Sequence, residues 1–478
     1  MADSTHKRQR VEATHFSAKA ETDLQLTHIT GSTFSVPGLQ LTDHWFTVPL
    51  DHTGSQSGTI QVFVREVVSA TKLKHTSHLP FLLFLQGGPG FESPRVTEAS
   101  AWIKAAAMHF RIVLMDQRGT GLSSAITANS LALQGTAHQQ AAYLGCFRAD
   151  SIIQDAEVVR AAMVPRDAST GEPGRWSIFG QSFGGFCVVH YLSTHPHAIA
   201  EALLTGGLPP GISQPCSAET AYHCLFRRVL HQNSKFYKRF PGDQPIAAGI
   251  VRRLIEYPDG GAPLPGGGIL SPRGFQLLGL AGLGSGGGFE RLHYLLERAF
   301  DGPDISHTFL RACENWFSWD TNPLYAVLHE SIYCQGAASQ WAAQRVRDAS
   351  FADAFDAVKA AKNYQQVLFT GEMVFPWMFD EIGCLQLMKA AAELLAMRTD
   401  WPRLYDLGKL HSLNVPVAAA CYFEDMYVDF ELGQETASHI QGIRQWITNE
   451  YMHSGIRDDG ARIFEHLLAL SRNTIPLH

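Results

Sequence analysis

The segment Gly180-Gln181-Ser182-Phe183-Gly184-Gly185 sets a serine between glycines, directly after the apolar run Trp176-Ser177-Ile178-Phe179 and before a stretch with helical character, Phe186 to Leu192. This is the G-x-S-x-G pattern in the strand–turn–helix context that gives it chemical meaning. A turn that sharp forces the serine into a strained backbone conformation, and only glycine fits beside it. The hydroxyl of Ser182 then projects from a sheet edge, with a helix N-terminus beneath it that favours developing negative charge. The chemistry is nucleophilic attack on a carbonyl, and it requires a base to take the serine proton and an acid to orient that base.

On such a scaffold the chain order is serine, then acid, then histidine. The apolar run Val415 to Tyr422 leads straight into Phe423-Glu424-Asp425-Met426-Tyr427-Val428-Asp429. Asp425 is the preferred acid, with Glu424 and Asp429 as rivals. Of the 22 histidines, His453 best suits the base, because it stands in a loop just past the last strand-like run, Gln445 to Thr448. The turn Gln86-Gly87-Gly88-Pro89-Gly90 follows another apolar run. Its backbone N–H groups are expected to join that of Phe183 in an oxyanion hole.

These residues need a frame that brings them together. The run Pro80 to Leu85 is continuously apolar, as a strand buried on both faces must be, and Arg111 to Met115 repeats the pattern before Asp116-Gln117-Arg118-Gly119-Thr120-Gly121. A helical stretch, Ser151 to Met163, separates these from the strand at Trp176, and Ala202 to Thr205 reads as a further strand. Strands alternating with helices predict an α/β protein of the α/β-hydrolase fold, a mostly parallel sheet covered by helices on both faces. His44 to Val67 alternates around a Gly-Ser-rich turn and predicts an antiparallel strand pair. From residue 209 to 412 the texture becomes helical and aromatic, broken by Gly-Pro and Gly-rich segments, which predicts an inserted helical cap. The domain plan is a tail over 1–35, a core over 36–208 and 413–478, and a cap over 209–412.

Composition narrows the function. The 478 residues carry a formal charge of −7 with both signs interspersed, so nothing marks a nucleic-acid surface. The basic cluster Lys7, Arg8 and Arg10 reads as part of a solvated terminus. No signal peptide is visible, and no run of about 18 apolar residues offers a membrane span; the expected address is the cytoplasm. The cysteines at 146, 187, 216, 224, 313, 334, 384 and 421 lack knuckle or redox spacing and read as reduced, buried side chains. No histidine–carboxylate cluster has ligand spacing, so neither metal nor cofactor is expected. The oligomeric state, homo-oligomer included, stays open.

The motifs QGGPG at 86–90, DQRGTGLS at 116–123, GQSFGG at 180–185 and the HSG step at 453–455 together resemble the proline iminopeptidases, in particular the longer, fungal-like branch, from about residue 40 to the C-terminus. The resemblance implies a serine aminopeptidase that removes N-terminal proline from peptides, with Ser182, Asp425 and His453 as its triad and the N–H groups of Phe183 and Gly88 as its oxyanion hole. It further implies that two cap glutamates hold the substrate amine, and the segments His329 to Tyr333 and Thr370 to Trp377 nominate Glu330 and Glu372. Phe375 and Trp377 would line an apolar slot for the pyrrolidine ring. Many members carry histidine where this chain has Gln86, so no role is given to that side chain. An esterase or a broader aminopeptidase is the enzymatic rival, and a non-catalytic protein that kept the fold ranks below both.

Overall fold

The computed structural model describes residues 14–15, 27–213, 217–316 and 319–475. Its frame is a ten-stranded sheet of β1 (Thr14–His15), β2 (Thr27–Val36), β3 (Leu39–Pro49), β4 (Thr59–Ser69), β5 (Phe81–Leu85), β6 (Arg111–Met115), β7 (Trp176–Gln181), β8 (Ile199–Thr205), β9 (Val417–Tyr422) and β10 (Arg444–Thr448). The spatial order is β1-β2-β3-β4-β6-β5-β7-β8-β9-β10. From β6 to β10 all neighbours are parallel, while β1 to β4 form an antiparallel wing joined to β6. This is the α/β-hydrolase arrangement the alternating runs predict.

Both faces of the parallel part are covered. In β5, Phe81, Leu83 and Leu85 join one core cluster with residues of the helices Ala149–Met163 and Phe183–Thr194. Leu82 and Phe84 turn to a second cluster built with Trp102 and the C-terminal helix Gly460–Ser471. Each such side chain contributes roughly 1.5–3 kcal/mol on burial, so a five-residue strand with two covered faces has no position to spare for a polar group.

One boundary differs from expectation. Residues 27–35 belong to β2 rather than to a tail. The strand is mostly exposed and held by its ladder with β3, whose register shifts between Thr30 and Thr33. Because backbone pairing rather than apolar burial holds it, no hydrophobic pattern marks it. The basic cluster Lys7, Arg8 and Arg10 lies outside the described residues.

Between β8 and β9 the chain is mainly helical, beginning with the 22-residue helix Ala218–Arg239. Two short ribbons, Ala262–Pro263 with Ile269–Leu270 and Phe300–Asp301 with Asp304–Ile305, bridge its glycine-containing loops. The buried Arg148 ties this segment to the sheet, donating to the carbonyls of Ser331 (3.2 Å), Cys334 (2.6 Å) and Pro402 (3.1 Å). The seven described cysteines are unpaired, and Cys216 lies outside the described residues. No described helix is long and apolar enough to cross a membrane.

Candidate active site

Strand register brings residues distant in the chain to one sheet edge. Leu85 pairs with Gly180, Gln181 with Thr205, Thr205 with Ala420, and Tyr422 with Thr448. The turns that follow β5, β7, β9 and β10 therefore emerge side by side, and these turns hold Gly88, Ser182, Asp425 and His453.

Ser182 has φ 54° and ψ −126°, a left-handed backbone that non-glycine residues seldom adopt. Its N–H donates to the Thr205 carbonyl at 3.1 Å, and its carbonyl accepts from Gly185 N–H at 2.7 Å, so both sides of the strained residue are tied down. The flanking glycines are steric necessities. A β-carbon on Gly184 would strike the carbonyl oxygen of Leu85, and one on Gly185 would strike the backbone of Gly207.

His453 joins the serine to the acid. Its Nε2 stands 2.9 Å from Ser182 Oγ, and its Nδ1 stands 2.7 Å from Asp425 Oδ2. A carboxylate oxygen can only accept, which puts the ring proton on Nδ1 and leaves Nε2 free to accept from the serine hydroxyl. The other carboxylate oxygen, Oδ1, accepts from the N–H groups of Tyr427 (2.8 Å) and Val428 (3.1 Å). The Tyr427 ring stacks on His453 with centroids 4.5 Å apart. All three members are buried.

Asp425's two rivals have other partners. Asp429 accepts from Leu432 N–H at 3.0 Å, capping the helix Phe430–Ser438, and pairs with Arg228 Nε at 3.1 Å. Glu424 pairs with Lys235. Arg228 and Lys235 lie on the helix Ala218–Arg239, so these two carboxylates fasten the cap to the acid-bearing loop.

The DQRG segment supports the site from behind. Arg118 is fully buried and clamps Asp155 through two bonds of 2.7 and 2.6 Å. Gln117 Nε2 donates to the Gln86 carbonyl at 2.9 Å, steadying the glycine turn that begins there.

A cavity of about 260 Å³ opens over the serine. Gly87, Gly88, Ser182 and His453 form its floor, while Phe91, Trp316, Trp319, Tyr325, Tyr427 and Glu372 contribute walls. Glu372 accepts from the Tyr325 hydroxyl at 2.7 Å, and the other oxygen lies 4.0 Å from His329 Nε2. Burial pushes the Glu372 carboxyl up to about 8, assisted by the charge of Asp425 and opposed by the Tyr325 hydrogen bond. His329 is no counterion, because burial holds its imidazole down to about 4.

Three expected binding residues do not line this cavity. Glu330 accepts from the N–H groups of Ala342 (3.1 Å) and Ala343 (2.9 Å), opening the short helix Ala342–Val346. Its carboxyl, pushed up to about 7 by burial, is thus committed to backbone donors. Phe375 and Trp377 stack on each other at 5.5 Å, and Trp377 faces a neighbouring cap cavity of about 350 Å³ with Arg273 over its ring. Phe91, Trp316, Trp319 and Tyr325 provide the aromatic walls instead. Nothing in the sequence separates these aromatics from ordinary core residues, although Phe91 directly follows the glycine turn.

Fold and site together define an α/β hydrolase of the serine-elbow type, and the α/β hydrolase fold family model matches residues 80–244. The chain is 44% identical over 441 residues to a proline iminopeptidase of Aeromonas sobria, covering 92% of this chain and 98% of that protein. It is 35% identical over 446 residues to a proline iminopeptidase of Aspergillus aculeatus, covering 92% and 95%. The chain belongs to the proline iminopeptidase family and is a hydrolase of that type.

Proposed function

We propose that this enzyme releases N-terminal proline from peptides through an acyl-enzyme on Ser182. The hydroxyl of Ser182 attacks the carbonyl carbon of the first residue while His453 Nε2 takes its proton, and Asp425 stabilises the imidazolium through Nδ1. The carbonyl oxygen becomes an oxyanion, received by the N–H groups of Phe183 and Gly88. Collapse breaks the C–N bond, and His453 returns the proton to the departing amine. Water, deprotonated by the same nitrogen, then splits the ester and frees the amino acid and the serine.

The aminopeptidase part of this reading is carried by one observation. Glu372 is a buried carboxyl in the same cavity as Ser182, with a tyrosine hydroxyl but, among the described residues, no cation as its partner. A buried charge is tolerated when it is paired and hydrogen-bonded, and an N-terminal ammonium supplies the missing pair. Anchoring the amine there sets the first peptide bond over the serine. The choice of proline is supported by the relatives, whose names specify it, and by aromatic walls suited to a small apolar ring.

The test is release of a chromogenic amine from proline, N-acetylproline and alanine derivatives, beside cleavage of a simple ester, by wild type and Ser182→Ala. Free-amine proline is expected to react fastest, the acetylated form at least a hundredfold more slowly, and the variant at background. Ester cleavage without proline release would reject the peptidase and keep the hydrolase.

A further inference from the structure

Besides the Glu372 carboxyl, the cavity over Ser182 holds a cation so far without a role. Arg457 contributes to its wall. It follows His453 by four residues, in the short helix Gly455–Asp458, and its side chain is exposed at the rim. Among the described residues Arg457 has neither an ion pair nor a side-chain hydrogen bond, whereas Arg65, Arg95, Arg111, Arg118 and Arg160 each hold a carboxylate.

The nearest acid in sequence is already engaged. Asp458 Oδ2 accepts from the Ser454 hydroxyl at 2.6 Å, and Ser454 Oγ in turn accepts from Gly286 N–H of the cap at 2.7 Å. Arg457 N–H donates to the Ser454 carbonyl at 2.7 Å, which fixes the backbone of the cation beside the base. Burial above all makes the hydroxyl of Tyr427, stacked on His453, harder to ionise; the charge of Glu372 adds to that effect and the charge of Arg457 opposes it. A carboxyl at the inner end, a serine and a cationic rim thus share one cavity of about 260 Å³.

We propose that Arg457 binds the free C-terminal carboxylate of short peptides, making the enzyme selective for dipeptides over longer or C-terminally blocked substrates. This rests on the aminopeptidase reading. Two extended residues span about 7 Å, so a dipeptide anchored by its amine at Glu372 carries its carboxylate only one residue beyond the bond over Ser182. A longer chain presents an uncharged peptide group at that point. Because the pair forms at an exposed rim, its contribution is modest and weakened by salt.

The experiment compares kcat/KM for prolyl-alanine and prolyl-alaninamide with wild type, Arg457→Gln and Arg457→Lys. The ratio of acid to amide cancels any loss of folded enzyme. In wild type it is expected to favour the acid about tenfold, to fall to about one in Arg457→Gln, and to stay intermediate in Arg457→Lys. Raising the ionic strength shrinks the wild-type ratio. Equal rates for the two peptides in wild type, or a preference untouched by Arg457→Gln, would overturn the carboxylate anchor while leaving the aminopeptidase reading intact. If wild type releases proline from neither peptide, that reading fails and takes the anchor with it.

Discussion

The sheet and the cap each place acids at the site, in opposite states of completion. On the sheet side every polar atom of the triad has its partner before substrate arrives: Asp425 holds two backbone N–H groups and His453, and His453 holds Ser182. On the cap side Glu372 has a tyrosine hydroxyl and an uncharged histidine nearby, and burial raises its carboxyl to about 8. A reaction centre must be preorganised, because reorganising dipoles during the reaction adds to its barrier. A recognition centre can be left unsatisfied, because the ligand then relieves a cost the protein has already incurred. On the proposed reading, the sheet breaks the bond and the cap selects the substrate.

The largest way to break this contrast is at the triad acid. Asp425→Asn, which removes the proton acceptor for Nδ1, is expected to lower kcat about 10⁴-fold. Asp429→Asn keeps a helix cap and loses one charge pair with Arg228, so its kcat stays near wild type and its stability falls by about 1 kcal/mol. Steady-state kinetics with thermal melts separate the two, and the reverse ranking would move the acid role to Asp429.

A smaller effect is expected from pH at Glu372. An acid whose folded pKa is raised is neutral below that value, so near pH 7 most unliganded molecules carry a protonated carboxyl at this position. Pairing with an ammonium requires the anion. For free-amine substrates kcat/KM should therefore rise as pH climbs towards about 8 and fall again where the substrate amine loses its proton. In Glu372→Gln the rise is absent and KM is raised about 10- to 100-fold; a profile unchanged by the substitution would detach Glu372 from binding.

The smallest kinetic change belongs to Glu330. Glu330→Ala strands two buried N–H donors and should cost about 1–3 kcal/mol of stability, read by denaturant melts, with kcat/KM within a few-fold of wild type. A rise in KM as large as that of Glu372→Gln would return Glu330 to the amine site.

Much of this architecture is legible in the chain because it is local. The elbow, the glycine turn and the buried strands are each written in consecutive residues, and the order of the parallel strands does the rest. The acid was narrower but still ambiguous: Glu424, Asp425 and Asp429 follow one strand within six residues, and the turn after Tyr422 decides which carboxylate meets His453. The cap was the least legible part. Glu330 and Glu372 look alike as buried-region glutamates, and only the packing of the helix Ala342–Val346 against Glu330 reveals that its oxygens are occupied. Aromatic type alone likewise does not say which wall a side chain joins, so nothing in the sequence separates Phe375 and Trp377 from Tyr325 and Trp319, which line the cavity over Ser182. Arg457 had no signal at all, because what distinguishes it is the absence of a side-chain partner among the described residues.

The division of labour is tested most directly by crossing the substrate amine with Glu372. The penalty for N-acetylation, the ratio of kcat/KM for a free and an acetylated prolyl anilide, is measured in wild type and in Glu372→Gln. If Glu372 reads the ammonium, the penalty of at least a hundredfold in wild type shrinks by tenfold or more in the variant, while Ser182 stays reactive towards an active-site phosphonate. An equal penalty in both enzymes would contradict the account and place amine recognition elsewhere in the cavity.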